Sequence, residues 1–283
     1  MTAAETHSAE MDPADWVGRR VVAHDPLSPF SANALVATME LDRPPFAAGD
    51  ALPPFWHWMH FLQALPRSAL GLDGHPGKGA GLTPPVRQAR RMWAGGRLEI
   101  HVPLVLGQEA SKTSEIVAVT PKTGRAGEMV FVTVRHEIVQ GRTLAVVEEQ
   151  DIVYRDDPDP DAPKRQPPQA PDGETLSRTW NCDPVVLFRY SALTFNGHRI
   201  HYDRTHAVET EGYPGLVVHG PLLATLLLEL AAEEREVTRF AFRATAPVFD
   251  GEDFTACLKP EGEDLKLWVR GTDGRQAMEA TAS

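Results

Sequence analysis

The chain has 283 residues, a formal net charge of −11, 42% hydrophobic and 24% charged residues, which is room for two ordinary domains or one large one, each with its own core. The acidic balance excludes nucleic acid as the main partner, because phosphate recognition needs a basic face; a small anion held by a few local arginines stays open. Two cysteines, Cys182 and Cys257, do not make a disulfide framework.

The opening "MTAAETHSAEMDPADW" is acidic and polar, with neither a basic nor an apolar signal region, so no secretory signal is expected. The longest apolar run is too short to cross a bilayer; no membrane partner is expected, and the cytoplasm is the expected location. "DALPPFWHWMHFLQAL" is an aromatic-rich helix candidate, followed by the Gly/Pro-rich loop "GLDGHPGKGAGLTPP". Four strand-like runs come next: "GRLEIHVPLVL", "SKTSEIVAVTPKTG", "GEMVFVTVRHEIVQG" and "RTLAVVEEQDIVYR". Their β-branched content and partial alternation favour an antiparallel sheet, with "PKTG" and "QGR" as hairpin turns.

The stretch Arg155–Gly173 holds six prolines and no large apolar residue, so it reads as a semi-rigid linker. It divides the chain into residues 1–154, a linker at 155–173, and residues 174–283. After it come a short strand around "SRTWN", the polar segment "YSALTFNGHRIHYD", and a helix from about Pro221 to Glu234. Pro221 suits the first helical position, and the leucines that follow recur at helical spacing. Strands are predicted at "TRFAFRATAPVF", "DFTACLKP", "DLKLWVRG" and "QAMEATA". Each half therefore reads as one greasy helix plus an antiparallel sheet, an α+β arrangement.

The second half resembles the MaoC-like enoyl-thioester hydratases, whose signature has the form G-D-x-N-P-x-H-x-D followed by a hydrophobic–hydrophobic–H–G step into a central helix. The matching residues are "TFNGHRIHYD" and "LVVHGPLL", with "RRMWAGG" (Arg90 to Gly96) as a further shared element. The resemblance implies a double hotdog, two helices each wrapped by a curled antiparallel sheet. The first half would be a scaffold and substrate wall that has lost the histidine signature, and the second would carry the site. It also implies reversible hydration of a 2-enoyl-CoA, with a short branched dicarboxylic substrate such as mesaconyl-C4-CoA or itaconyl-CoA favoured. A 3-hydroxyacyl-thioester dehydratase of fatty-acid type, a hotdog thioesterase and a non-catalytic acyl-CoA binding protein are the alternatives. The partner would be a small acyl-CoA, with no redox cofactor and no metal; a homodimer is compatible with this.

Histidine suits the proton transfers of such a reaction because its ordinary pKa, about 6.5, lies near working pH. The resemblance assigns His201 as principal acid/base and the Gly220 N–H, at the positive end of a helix, as donor to the thioester oxygen. Asn196 stands where the signature has aspartate; an amide orients water but is no general base at neutral pH. His198 is either a second proton carrier or a turn cap, and His219 a brace for the helix start. Tyr190 and Asp203 are candidates for fixing a histidine tautomer. Arg90, Arg91 and Arg199 are candidates for a carboxylate or the CoA phosphates, with a solvated turn as the competing reading at Arg90 and Arg91; Trp93 would line the substrate. A metal cluster of His198, His201, His206 and Asp203 has no standard spacing. "WHWMH" reads as a core helix able to line the acyl pocket, and "GKGAG" as a flexible loop. No G-x-S-x-G elbow occurs, which argues against a serine thioesterase.

Overall fold

The computed structural model describes residues 12–124, 127–156 and 166–283. Its first part contains strand β1 (Arg20–Asp25), helix α1 (Pro29–Met39) and β2 (Ala51–Leu52), then β3 (Arg90–Ile100), β4 (Leu104–Val105), β5 (Ala110–Gly124), β6 (Gly127–Gln140) and β7 (Thr143–Arg155). The second contains β8 (Leu176–Asn181), helices α2 (Pro184–Leu193) and α3 (Gly220–Glu234), then β9 (Arg239–Ala244), β10 (Asp253–Glu261), β11 (Asp264–Gly271) and β12 (Gln276–Ala282). Among the described residues ten strands form one antiparallel sheet in the order β1-β5-β6-β7-β3-β9-β12-β11-β10-β8, while β2 pairs with β4. The two halves thus meet edge to edge at β3 and β9, in the α+β double hotdog arrangement. Part of the Pro-rich segment, residues 157–165, lies outside the described residues, as does the β5–β6 connection at 125–126. "PKTG" belongs to the end of β5 rather than to a turn.

The seam explains the glycines of "RRMWAGG". A Cβ on Gly96 would sit 2.7 Å from the Glu149 carbonyl oxygen and 3.0 Å from the Phe242 ring, and one on Gly95 would overlap the Phe242 carbonyl. Only glycine lets β3 fit between β7 and β9 here. The solvated-turn reading of Arg90 and Arg91 is therefore corrected: both open strand β3, paired with Arg155 and Tyr154.

Helix α3 packs against β8 to β12. Leucines 222, 223, 226, 227, 228 and 230 are all buried, and every residue from Leu222 to Leu228 is buried, as expected of a helix enclosed by a sheet. Each such leucine stabilises the fold by about 2 kcal/mol relative to exposure.

The first half differs from expectation in its inner element. "DALPPFWHWMHFLQAL" forms a single 3₁₀ turn, Trp56–Met59, flanked by Phe55 and Phe61 in left-handed backbone (φ 65° and 56°). Pro53 and Pro54 disfavour helical geometry before them, and the side chains instead splay in several directions. Phe55, Trp56, Met59 and Phe61 fill the core with Leu98 and Val146. The helix lies earlier, at α1, where Ser28 Oγ accepts from Phe30 N and Pro29 takes the first position. It packs chiefly against α2 and the Trp56–Met59 turn. Helix α2 has the same punctuation, Asp183 capping Val186 N at 2.8 Å ahead of Pro184. Among the described residues no helix is long and apolar enough to cross a membrane, and both cysteines are free thiols in the interior.

Candidate active site

The polar segment after α2 is folded by short-range bonds. Thr194 Oγ1 donates to the Tyr190 carbonyl at 2.8 Å, closing the helix, and Phe195 turns the chain through left-handed backbone at φ 50°. Asn196 Oδ1 then accepts from His198 N at 3.0 Å, a side-chain turn of the kind asparagine favours. A 3₁₀ turn, Arg199–His201, follows. The His198 and His201 rings stand 5.4 Å apart and nearly perpendicular.

His201 is buried and its Nδ1 lies 2.7 Å from the Val217 carbonyl oxygen. Since a carbonyl only accepts, Nδ1 carries the hydrogen and Nε2 keeps its lone pair. The ring stacks on His219 at 3.7 Å and 17°. His219, fully buried, has its Nε2 2.8 Å from Ser191 Oγ and precedes α3 without capping it. The N–H groups that open α3 have no partner within the helix and lie at its positive end. Trp93 stands against this tip: a Cβ on Gly220 would approach its ring to 3.1 Å. The imidazole and the helix start predicted to converge are thus side by side.

Burial sets the charge state. It pushes His201 down to about 4 against the pull of the Val217 bond, and holds His219 well below its ordinary value. His198 is lowered by burial first, then by neighbouring His75 and His201. Burial thus favours the neutral form of all three rings.

Several expectations are corrected. Neither Tyr190 nor Asp203 fixes a histidine tautomer; the Val217 carbonyl does that for His201. Tyr190 presents its ring edge-on to His219 at 4.9 Å, and its hydroxyl, raised by burial, neighbours Thr225. Asp203 accepts from Arg199 Nη2 at 2.7 Å and from His206 N at 3.1 Å, closing its own turn. Arg199 is engaged by that carboxylate and by the Leu72 carbonyl at 3.0 Å. His198 does not cap the turn through its ring; Asn196 does so. Arg90 pairs with Glu211 at 3.1 Å, whereas the buried Nη1 of Arg91 has no hydrogen-bond partner among the described residues.

Sequence reasoning missed Asp73 and His75. Asp73 Oδ2 lies 3.2 Å from His75 Nδ1, and the His75 ring is 4.0 Å from that of His198. Among the described residues, the group of acidic, histidine or cysteine side chains with ligand atoms close enough for one ion is Asp73, His75 and His198, not the cluster containing His201, His206 and Asp203. A signal was present: "DGH" at 73–75 matches "NGH" at 196–198.

The sequence profile of one family, hydroxyacyl-thioester dehydratase type 2, matches residues 55–250. The mesaconyl-C4-CoA hydratase of Chloroflexus aurantiacus is 46% identical over 94% of this chain and 95% of its own length. The mitochondrial hydroxyacyl-thioester dehydratase type 2 of Schizosaccharomyces pombe is 29% identical over 88% of this chain and 92% of its own. In fold, a Mycobacterium tuberculosis protein described as a double hotdog superposes with a TM-score of 0.56 at 15% identity, covering 94% of this chain and 95% of that one.

Proposed function

Because the chain belongs to the hydroxyacyl-thioester dehydratase type 2 family, we propose that its hydratase/dehydratase chemistry acts on a short branched dicarboxylic enoyl-CoA, mesaconyl-C4-CoA or itaconyl-CoA. The observation that carries the reading is the buried, neutral His201 with Nδ1 held by Val217, beside the uncapped start of α3 at Gly220.

In hydration a water oxygen bonds to Cβ as its proton goes to a base. The C=C pair moves toward the thioester, whose oxygen accepts from the Gly220 N–H while it carries charge. A proton then adds to Cα, and the reaction balances with protein groups and water alone. His201 is the group assigned to Cα. Trp93 walls the tip of α3 on the substrate side.

Arg91 supports the dicarboxylic choice. A buried guanidinium N–H without an acceptor costs about 1–3 kcal/mol or more, and an incoming carboxylate would satisfy it in the fork geometry arginine prefers. A 3-hydroxyacyl-thioester dehydratase of fatty-acid type is the second reading, favoured by the fission-yeast relative. A cytoplasmic setting and a homodimer complete the proposal, the former supported by the two free buried thiols. The assay incubates purified protein with mesaconyl-C4-CoA, itaconyl-CoA and crotonyl-CoA, following enoyl absorbance and free thiol together. Loss of absorbance without thiol, fastest with a dicarboxylic substrate, is the expected result. Preference for crotonyl-CoA would move the assignment to the second reading, and thiol release would overturn both.

A further inference from the structure

We propose that Asp73 and His75 form the water side of this active site: His75, polarised by Asp73, exchanges a proton with the oxygen that joins or leaves Cβ, while His201 serves Cα. The inference rests on the hydratase/dehydratase reading and adds a residue pair from the opposite half of the chain.

Four observations carry it. First, the two tripeptides are built alike: Asp73 Oδ1 accepts from His75 N at 3.1 Å, as Asn196 Oδ1 accepts from His198 N at 3.0 Å. Second, they are locked face to face. A Cβ on Gly74 would overlap the Gly197 carbonyl, one on Gly197 would come within 2.8 Å of the Gly74 oxygen, and Arg199 N donates to Asp73 O at 2.8 Å. Third, ligand atoms of Asp73, His75 and His198 all lie within 4.8 Å of one another, a span that one water, bonding at about 2.8 Å to each side, bridges. Fourth, the signature aspartate absent at position 196 is present at Asp73, followed by Pro76 in the signature's proline position, with Lys78 where the histidine would stand. The first half keeps the carboxylate and the second keeps the histidine.

The chemistry follows from the pairing. Nδ1–H of His75 points to Asp73, so Nε2 is the reactive nitrogen, and the carboxylate stabilises the ring when it is protonated. Burial, joined by the charge of Arg91, holds His75 below its ordinary value against the pull of Asp73, and it is the hydrogen-bonded carboxylate that lets the ring carry the proton transiently. In dehydration His201 Nε2 takes the Cα proton and the C–H pair becomes the C=C bond. The Cβ–O bond breaks with its pair on oxygen, and His75 gives that oxygen a proton, so it departs as water. Hydration is the reverse; solvent returns the proton from His201 to His75.

The test compares leaving groups on the full-length enzyme. His75→Gln and Asp73→Asn are assayed on a 3-hydroxyacyl-CoA, whose oxygen must be protonated, and on the matching 3-chloroacyl-CoA, whose chloride leaves without a proton. The expected result is a fall of about 100-fold or more on the hydroxy substrate and less than about fivefold on the chloro substrate, with His201→Ala impaired on both. Equal losses on the two substrates, or no loss on either, would overturn the proposal. So would activity that a chelator abolishes and a divalent metal restores, which would make the triplet a metal site. Should His75→Gln fail to fold, Asp73→Asn decides by the same comparison. The assay uses whichever 3-hydroxyacyl-CoA the wild type dehydrates, so a wrong acyl group in the proposed function leaves the contrast between leaving groups readable; a wild type active on none would sink both.

Discussion

Among the described residues, buried titratable side chains gather in both halves, and they are finished differently. In the first half Glu148 is 1% exposed and accepts from His57 Nε2, Trp58 Nε1 and Gln150 Nε2, each at 2.8 Å. Asp25 is similarly filled, by Leu27 N at 2.7 Å, Phe61 N at 2.9 Å and His60 Nδ1 at 3.1 Å. In the second half the stacked pair His201 and His219 has no carboxylate partner among the described residues; His219 Nδ1 is buried without a hydrogen bond, as His60 Nε2 is in the first half. A carboxylate saturated with donors fixes a structure, whereas neutral imidazoles beside a helix tip are placed to serve a ligand. The two are connected: Trp58, held by Glu148, packs on Trp93 at 5.0 Å, and Trp93 faces Gly220.

Emptying each cluster in turn tests this contrast most severely. His201→Ala should lower turnover by about a thousandfold, within the usual range for a general acid–base group, as read by steady-state hydration; wild-type rates would remove His201 from the site. Glu148→Ala should cost about 3–5 kcal/mol of unfolding free energy, because breaking a buried pair strands its partners, as read by urea denaturation. A cost under about 1 kcal/mol would show the first cluster to be dispensable.

Two smaller effects concern how the second site is held. Gly74→Ala places a Cβ on the Gly197 carbonyl in left-handed backbone (φ 85°), so the loop must lift from the second half. We expect turnover to fall by tens-fold, the scale of about 2 kcal/mol of lost positioning, while the Glu148 cluster stays intact in near-ultraviolet dichroism. Asn196→Ala removes one turn bond, worth about 1 kcal/mol, and a loss of activity near tenfold or less is expected; an unchanged rate would leave Asn196 no role in turnover.

Stability should also respond to pH in a defined direction. Burial lowers His136 and His201 to about 4, below the ordinary value near 6.5, so the unfolded chain binds protons first as pH falls. The stability tied to keeping both rings neutral is complete above about pH 6.5 and is lost progressively toward 4. For Glu148, burial pushes upward, but His57 and the further bonds outweigh it and hold the carboxyl at about 2. Its contribution is present above the ordinary carboxyl value of about 4.3 and fades below it. Chemical denaturation between pH 7 and 4 should therefore show a continuous decline, beginning before ordinary carboxylates titrate. A flat profile down to pH 5 would contradict the buried neutral histidines.

Much of this was legible in the residues. The strands of both halves follow their β-branched runs, and α3 follows its leucine spacing after His219-Gly220-Pro221. Helices α1 and α2 carried their signals in Ser28-Pro29 and Asp183-Pro184, but small and mixed side chains blurred the periodicity. The aromatic segment misled because dense apolar content gives no period: its rings fill a sheet interior from a 3₁₀ turn. His201 and Gly220 were placed by their motif. Asp73 and His75 were not, because their partner His198 lies more than a hundred residues away and only the fold brings the two glycine turns together.

Turnover and unfolding free energy, measured in parallel for His201→Ala and Glu148→Gln, separate a catalytic cluster from a structural one. His201→Ala should lower hydration by about a thousandfold while changing stability by no more than about 2 kcal/mol. Glu148→Gln should lose stability yet keep turnover within about fivefold in the folded fraction, well short of a general acid–base loss. If Glu148→Gln abolished hydration at full stability while His201→Ala remained active, the catalytic and structural clusters would have to be exchanged.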